Sequence, residues 1–256
     1  MSDTPLKVEL IRDGRVLHLT LARPKANIVD AAMLTALKKG LAEHRDNTAL
    51  AAVLLDAEGP NFSFGASVEE HLPEQCAAML GIIHGVILDM ISYPVPILVA
   101  VHGHCLGGGL EVACAGSLIF ATSASHFGQP EIQLAVFAPA ASCLLPERIN
   151  RAAAEDLLFS GRSISAEEAW RIGLINYVDD APEQAALDYI DTHLASHSTF
   201  ALRHAVRAVR ADYVERIRNS LARVEKLYLD ELMAGHDPVA GLKAFMEKRK
   251  PAWKNI

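Results

Sequence analysis

Four cysteines in 256 residues, Cys76, Cys105, Cys114 and Cys143, include no CxxC pair. That scarcity excludes the dense disulfide framework of a small secreted domain and predicts buried free thiols in a reducing compartment. No stretch reaches the roughly 18 consecutive apolar residues that a membrane-spanning helix needs. The opening MSDTPLKVEL has no basic segment followed by an apolar run, so the expected location is cytoplasmic. An excess of positive charge is missing too, because 24 Lys and Arg face 31 Asp and Glu for a formal net charge of -7. Such a balance offers no field to attract a polyanion, and neither nucleic acid nor a membrane is expected as partner. The eleven histidines form no pair with zinc-site spacing backed by further ligands, so no metal is expected. Satisfied core or surface histidines are the default expectation, and His71 is the one to test for substrate contact.

What is present is enough apolar sequence, 51% of residues, to bury a full core. Residues 7–11 and 16–21 read as strands around an Asp13-Gly14 hairpin turn. Asp30 is a candidate cap for a helix over 31–43, where Met33, Leu34, Leu37 and Leu41 recur at helical spacing. An apolar strand over 51–56, a helix over 75–92 and a strand over 97–101 repeat the unit, which predicts an α/β fold with a buried sheet. A short helix is expected over 111–115, a strand over 117–121 and a loop over 126–131. From about residue 181 the composition turns helical, with helices expected over 183–195, 200–209, 214–232 and 239–248. The division expected is a core of residues 1–195 and a helical region, 196–256, for assembly and capping.

Gly107-Gly108-Gly109 sits between a strand and a helix, where backbone N–H groups at a helix start face developing negative charge. One glycine is accounted for by a turn; three in succession ask for more. The pattern matches neither GxGxxG nor a phosphate loop ending in Lys-Ser or Lys-Thr. The small-residue turn Phe62-Ser63-Phe64-Gly65-Ala66-Ser67 offers a second N–H donor, and two donors on one carbonyl oxygen suit acyl chemistry. A lone glutamate near a helix start is ordinarily a dipole partner. Two of them, Glu111 and Glu131, beside one such site can hold a water and divide acid and base work.

The runs 100–113 (AVHGHCLGGGLEVA) and 127–131 (FGQPE), with Arg23-Pro24-Lys25-Ala26-Asn27 and Phe64-Gly65-Ala66 in order before them, resemble the crotonase (enoyl-CoA hydratase/isomerase) family along essentially the whole chain. The resemblance implies a spiral of ββα units with a C-terminal helical trimerisation region. It also implies an acyl-CoA hydratase in which the N–H groups of Ala66 and Gly108 form an oxyanion hole and Glu111 and Glu131 are the acid/base pair. Ala26, Ser63, Gly65, Ala66 and Val68 would line coenzyme A, with Phe245 and Lys248 reaching a coenzyme A, often a neighbouring subunit's. No cofactor is implied beyond the coenzyme A of the substrate, and the partners implied are an acyl-CoA and further copies of the chain, as a trimer or a dimer of trimers.

Departures from the family concern substrate. Residues 136–142 read VFAPAAS where glycine is usual, Ser67 replaces a common Asp, and Asn61 and Glu69 stand where lysines are frequent. Segments 64–71 and 138–142 resemble a branch whose acyl group is a cyclic diene. The competing readings are a straight-chain 2-enoyl-CoA hydratase, a double-bond isomerase, or a non-catalytic RNA-binding or scaffold relative. Two retained glutamates and the acidic balance oppose the last.

Overall fold

The computed structural model describes residues 4–256. Its main sheet has six strands in the order β1-β2-β3-β4-β6-β9: β1 Leu6–Ile11, β2 Val16–Leu21, β3 Ala52–Ala57, β4 Ile97–Val101, β6 Leu118–Ala121 and β9 Tyr177–Val178. The β1–β2 hairpin is antiparallel and every later pairing is parallel, with Val16 opposite Ala52 and Val53 opposite Ile97. β3 and β4 are buried along their whole length. A parallel strand covered on both faces needs a near-continuous apolar run, which is what AVLLDA and ILVAV supply.

One sheet face packs on α1 (Ala31–His44), α2 (Cys76–Ile91), α3 (Gly108–Cys114) and α4 (Pro139–Arg148), in a single core holding Leu17, Leu19, Val53, Leu55 and Val99. The other face carries Val16, Leu54, Leu98, Ala100 and Phe120 under α7 (Pro182–His193). Asp30 caps α1 as the sequence predicts, its Oδ1 accepting from the Met33 N–H at 2.9 Å. All four cysteines are buried and unpaired.

Three readings are corrected. Residues 126–131 are not a plain loop: β7 (His126–Gly128) joins β5 (His104–Leu106) and β8 (Ser163–Ser165) in a second sheet, and a 3₁₀ turn, Pro130–Leu134, follows. Residues 138–142 are not a loop either, because Ala138 is the N-cap of α4 and Pro139 its first residue. Proline suits that position, where its missing N–H would have no helical partner anyway. The two helices expected over 200–209 and 214–232 are one, α8, Thr199–Lys226. It is held across the join by arginines: Arg203 donates to the carbonyls of Arg45 and Asn47 beyond α1, and Arg210 to those of Ile91 and Tyr93 at the end of α2. Two short helices, α5 (Arg151–Ser160) and α6 (Ala166–Arg171), lie between α4 and α7. Beyond α8 the chain passes through a π turn, Leu227–Glu231, to α9 (His236–Met246). No described helix is long and apolar enough to cross a membrane.

Candidate active site

The second sheet stitches two distant turns together. Ser63 bridges Cys105, the Ser63 N–H donates to the His104 carbonyl, and the Leu106 N–H donates back to Ser63. This brings the 63–66 turn against the start of α3. Gly65 turns at φ +108° and Gly107 at φ +51°, conformations that side chains resist. Gly108 lies so close to Ala66 that a Cβ on it would come within 3.1 Å of the Ala66 nitrogen. Among the described residues neither the Ala66 N–H nor the Gly108 N–H has an acceptor, so two adjacent donors are free for one ligand oxygen.

Glu111 stands in the first turn of α3 and is 5% exposed. Its Oε1 accepts from the Ala141 N–H at 2.8 Å, so the start of α4 holds the carboxylate. Burial raises the Glu111 pKa to about 7 against the lowering effect of the Ala141 and Ala140 amides. Glu131 follows Pro130 in the 3₁₀ turn, and a Cβ at residue 107 would meet its Oε1 at 2.5 Å. Burial first, and the charge of Glu111 second, raise Glu131 to about 8. Both line an inner cavity of about 10 Å³ with Ala66, Gly108 and Phe137, about the room one water needs. Gln129, fully buried, lies between the Gly107 carbonyl and Glu131. With its nitrogen toward the carboxyl it donates to both oxygens at 3.0 and 3.2 Å, and with its oxygen there it accepts from a protonated Glu131.

Outside this cavity runs a groove of about 330 Å³ walled by Gly65, Ala66, Val68, His71, Glu131 and Phe245. The expected contacts divide here. Gly65, Ala66, Val68 and Phe245 meet Glu131 in one groove, and His71 joins them. Ala26 and Ser63 instead build the turn behind it: the Ala26 carbonyl accepts from the Phe64 N–H, and the Ser63 hydroxyl from the Gly65 N–H. Lys248 is not on the wall, and its neighbour Arg249 is. Sequence reasoning missed Arg249 and Gln129, whereas Phe137 belongs to the 136–142 run that the sequence already ties to the substrate. Only Gln129 carried a signal, as an amide two places before a candidate catalytic glutamate.

The model of the enoyl-CoA hydratase/isomerase family matches residues 12–255. The chain belongs to that family. A cyclohexa-1,5-dienecarbonyl-CoA hydratase of Thauera aromatica is 62% identical over 254 residues, 99% of this chain and 98% of the relative. An enoyl-CoA hydratase/isomerase structure from Pseudoalteromonas atlantica superposes with a TM-score of 0.82 at 28% identity, covering 97% and 99% of the two chains. An enoyl-CoA hydratase from Mycobacterium avium subsp. paratuberculosis shares the fold, with a TM-score of 0.85 at 22% identity over 98% and 99%. The α/β architecture expected from the sequence is thus the family's.

Proposed function

We propose that this protein hydrates cyclohexa-1,5-diene-1-carbonyl-CoA to 6-hydroxycyclohex-1-ene-1-carbonyl-CoA, a step in the breakdown of aromatic compounds through benzoyl-CoA. The observation that carries this reading is the 62% identity, end to end, with a hydratase of that substrate. Two glutamates facing one water-sized cavity beside two free N–H groups support it.

In the proposed mechanism the thioester oxygen lies between the Ala66 and Gly108 N–H groups, which stabilise the charge that builds there. Near neutral pH the pair shares a proton, and Glu131, raised further than Glu111, carries it. Ionised Glu111 takes a proton from water while the oxygen bonds to the β carbon, and a dienolate forms. Glu131 delivers its proton to the γ carbon across the ring, and the remaining double bond settles between the α carbon and the ring carbon next to γ. Net, one water is added 1,4 across the diene. Exchange with solvent returns a proton to Glu131 and removes one from Glu111. This is acid–base chemistry on an activated thioester, and it calls on no cofactor besides the coenzyme A carried by the substrate.

Residues 196–256 are proposed to serve assembly, as a trimer or dimer of trimers, and to cap the groove through Phe245. Phe200 and Val209, exposed apolar residues on α8, support an assembly face. The four free buried cysteines fit a cytoplasmic location. Steady-state assays with the ring dienoyl-CoA and with crotonyl-CoA test the substrate: kcat/KM is expected to favour the ring by about tenfold or more. Preference for crotonyl-CoA would assign the protein to straight-chain hydration instead.

A further inference from the structure

Where α8 ends, the chain widens into the π turn Leu227–Glu231, a rare geometry that recurs at functional sites. Tyr228, in that turn, is fully buried, and its hydroxyl has no hydrogen-bond partner among the described residues. A buried donor left unpaired lowers stability, and native proteins rarely keep one without a use. The Tyr228 ring meets Phe137 edge-on, at 5.2 Å and 72°. Phe137 is half-buried and lines the inner cavity with Glu111 and Glu131. The charges of both glutamates reach the phenol, and burial above all raises its pKa well beyond the usual range, so it remains a neutral donor.

The inner cavity, about 10 Å³, is too small for any acyl head group. Substrate entry therefore has to displace part of its wall, whose larger side chains from α2, Met79, Leu80 and Ile83, are fixed in the core. Phe137 is the large apolar wall residue that is only half-buried, and because its ring lies against Tyr228, its displacement would open a path to the phenol. In the loaded site the thioester carbonyl oxygen belongs to the Ala66 and Gly108 amides, and the oxygen of the water being added is an acceptor to which no donor has yet been assigned.

We propose that the Tyr228 hydroxyl donates a hydrogen bond to the water oxygen as it joins the acyl group, and to the same oxygen as the product hydroxyl, making Tyr228 a third catalytic residue beside the two glutamates. The role rests on the hydratase reading but not on the ring: it applies equally to crotonyl-CoA. Tyr228 makes no bond itself and keeps its proton throughout.

The Tyr228→Phe variant keeps the ring and its contact with Phe137. Its kcat for hydration is expected to fall about tenfold, while the Kd of cyclohexanecarbonyl-CoA, unreactive because its ring has no double bond to hydrate, stays within about twofold. The melting temperature of the ligand-free variant is expected to rise, because an unpaired buried hydroxyl is gone. A kcat within twofold of wild type, a parallel loss of affinity for cyclohexanecarbonyl-CoA, or a lower melting temperature would each overturn the assignment. If the wild type hydrates crotonyl-CoA and not the ring diene, the substrate reading fails and the same three measurements on crotonyl-CoA still decide Tyr228. If it hydrates neither, the hydratase reading and the proposed role fall together.

Discussion

Glu111 and Glu131 carry the same carboxyl group in different surroundings. Glu111 is buried but accepts from the start of α4, whereas Glu131 is buried and faces the Glu111 charge, with its own backbone N–H and the Gln129 amide beside it. The two are thereby separated at about 7 and about 8, so hydration, which in the proposed mechanism needs Glu111 ionised and Glu131 protonated, is expected to peak between those values. Below about 7 the base is protonated, and above about 8 the acid is lost. A kcat/KM profile against pH checks this, and either Glu111→Gln or Glu131→Gln should lower turnover by about 10²-fold or more. At this scale the sequence was informative where a residue type limits the chemistry. Two glutamates and three glycines admit few roles, and Gly107, which leaves no room for a side chain beside Glu131, has one. The Tyr228 phenol and the Gln129 amide were silent, because their meaning depends on burial and on partners brought up by the fold.

Elements with strong periodicity were legible: β1 to β4, α1 and α2 fall within a residue or so of their expected bounds. The second sheet was not, since strands of three residues such as β5, β7 and β8 are too short to show alternation. The α4 start reads as a loop because PAASC has no apolar stripe; its role is positional, presenting the Ala141 N–H to Glu111. The run Arg210-Ala211-Asp212-Tyr213 interrupts the apolar pattern of α8, yet tertiary bonds from Arg203 and Arg210 carry the helix through. Past the end of α9, Arg249 rather than Lys248 lines the groove of this chain, and its guanidinium is otherwise engaged only with exposed Glu247. Arg249→Ala is expected to raise KM for acyl-CoA by about tenfold or more, the worth of one charge-assisted hydrogen bond, with kcat little changed. Steady-state kinetics separates this from an unchanged KM, which would remove Arg249 from the groove.

For the molecule as a whole, two glutamates held above their ordinary range are a standing cost at alkaline pH. The folded chain binds protons that the unfolded chain releases near 4.5, so this stabilisation is complete below about 4.5. It is lost as pH rises through about 7 and about 8. Glu131→Gln removes one of the two groups. Its melting temperature is expected to gain on wild type steadily from about pH 5 to about pH 8 and to hold that gain above it. His18, also raised, mainly by its hydrogen bond to Asp56, changes stability in the same direction, but it is common to both proteins and cancels in the difference. Calorimetry across that range would show a constant gap if Glu131 were not raised. The main sheet and the turns that carry Glu111 and Glu131 lie in the first part of the chain, and Gly241, Phe245 and Arg249 from the last part join the groove wall. The measurement that tests the account most directly is a single turnover of cyclohexa-1,5-diene-1-carbonyl-CoA in deuterated water, with the label located in the ring. Deuterium at the γ carbon, opposite the new hydroxyl, is the predicted result; deuterium at the α carbon, or no turnover of the ring diene, would contradict it.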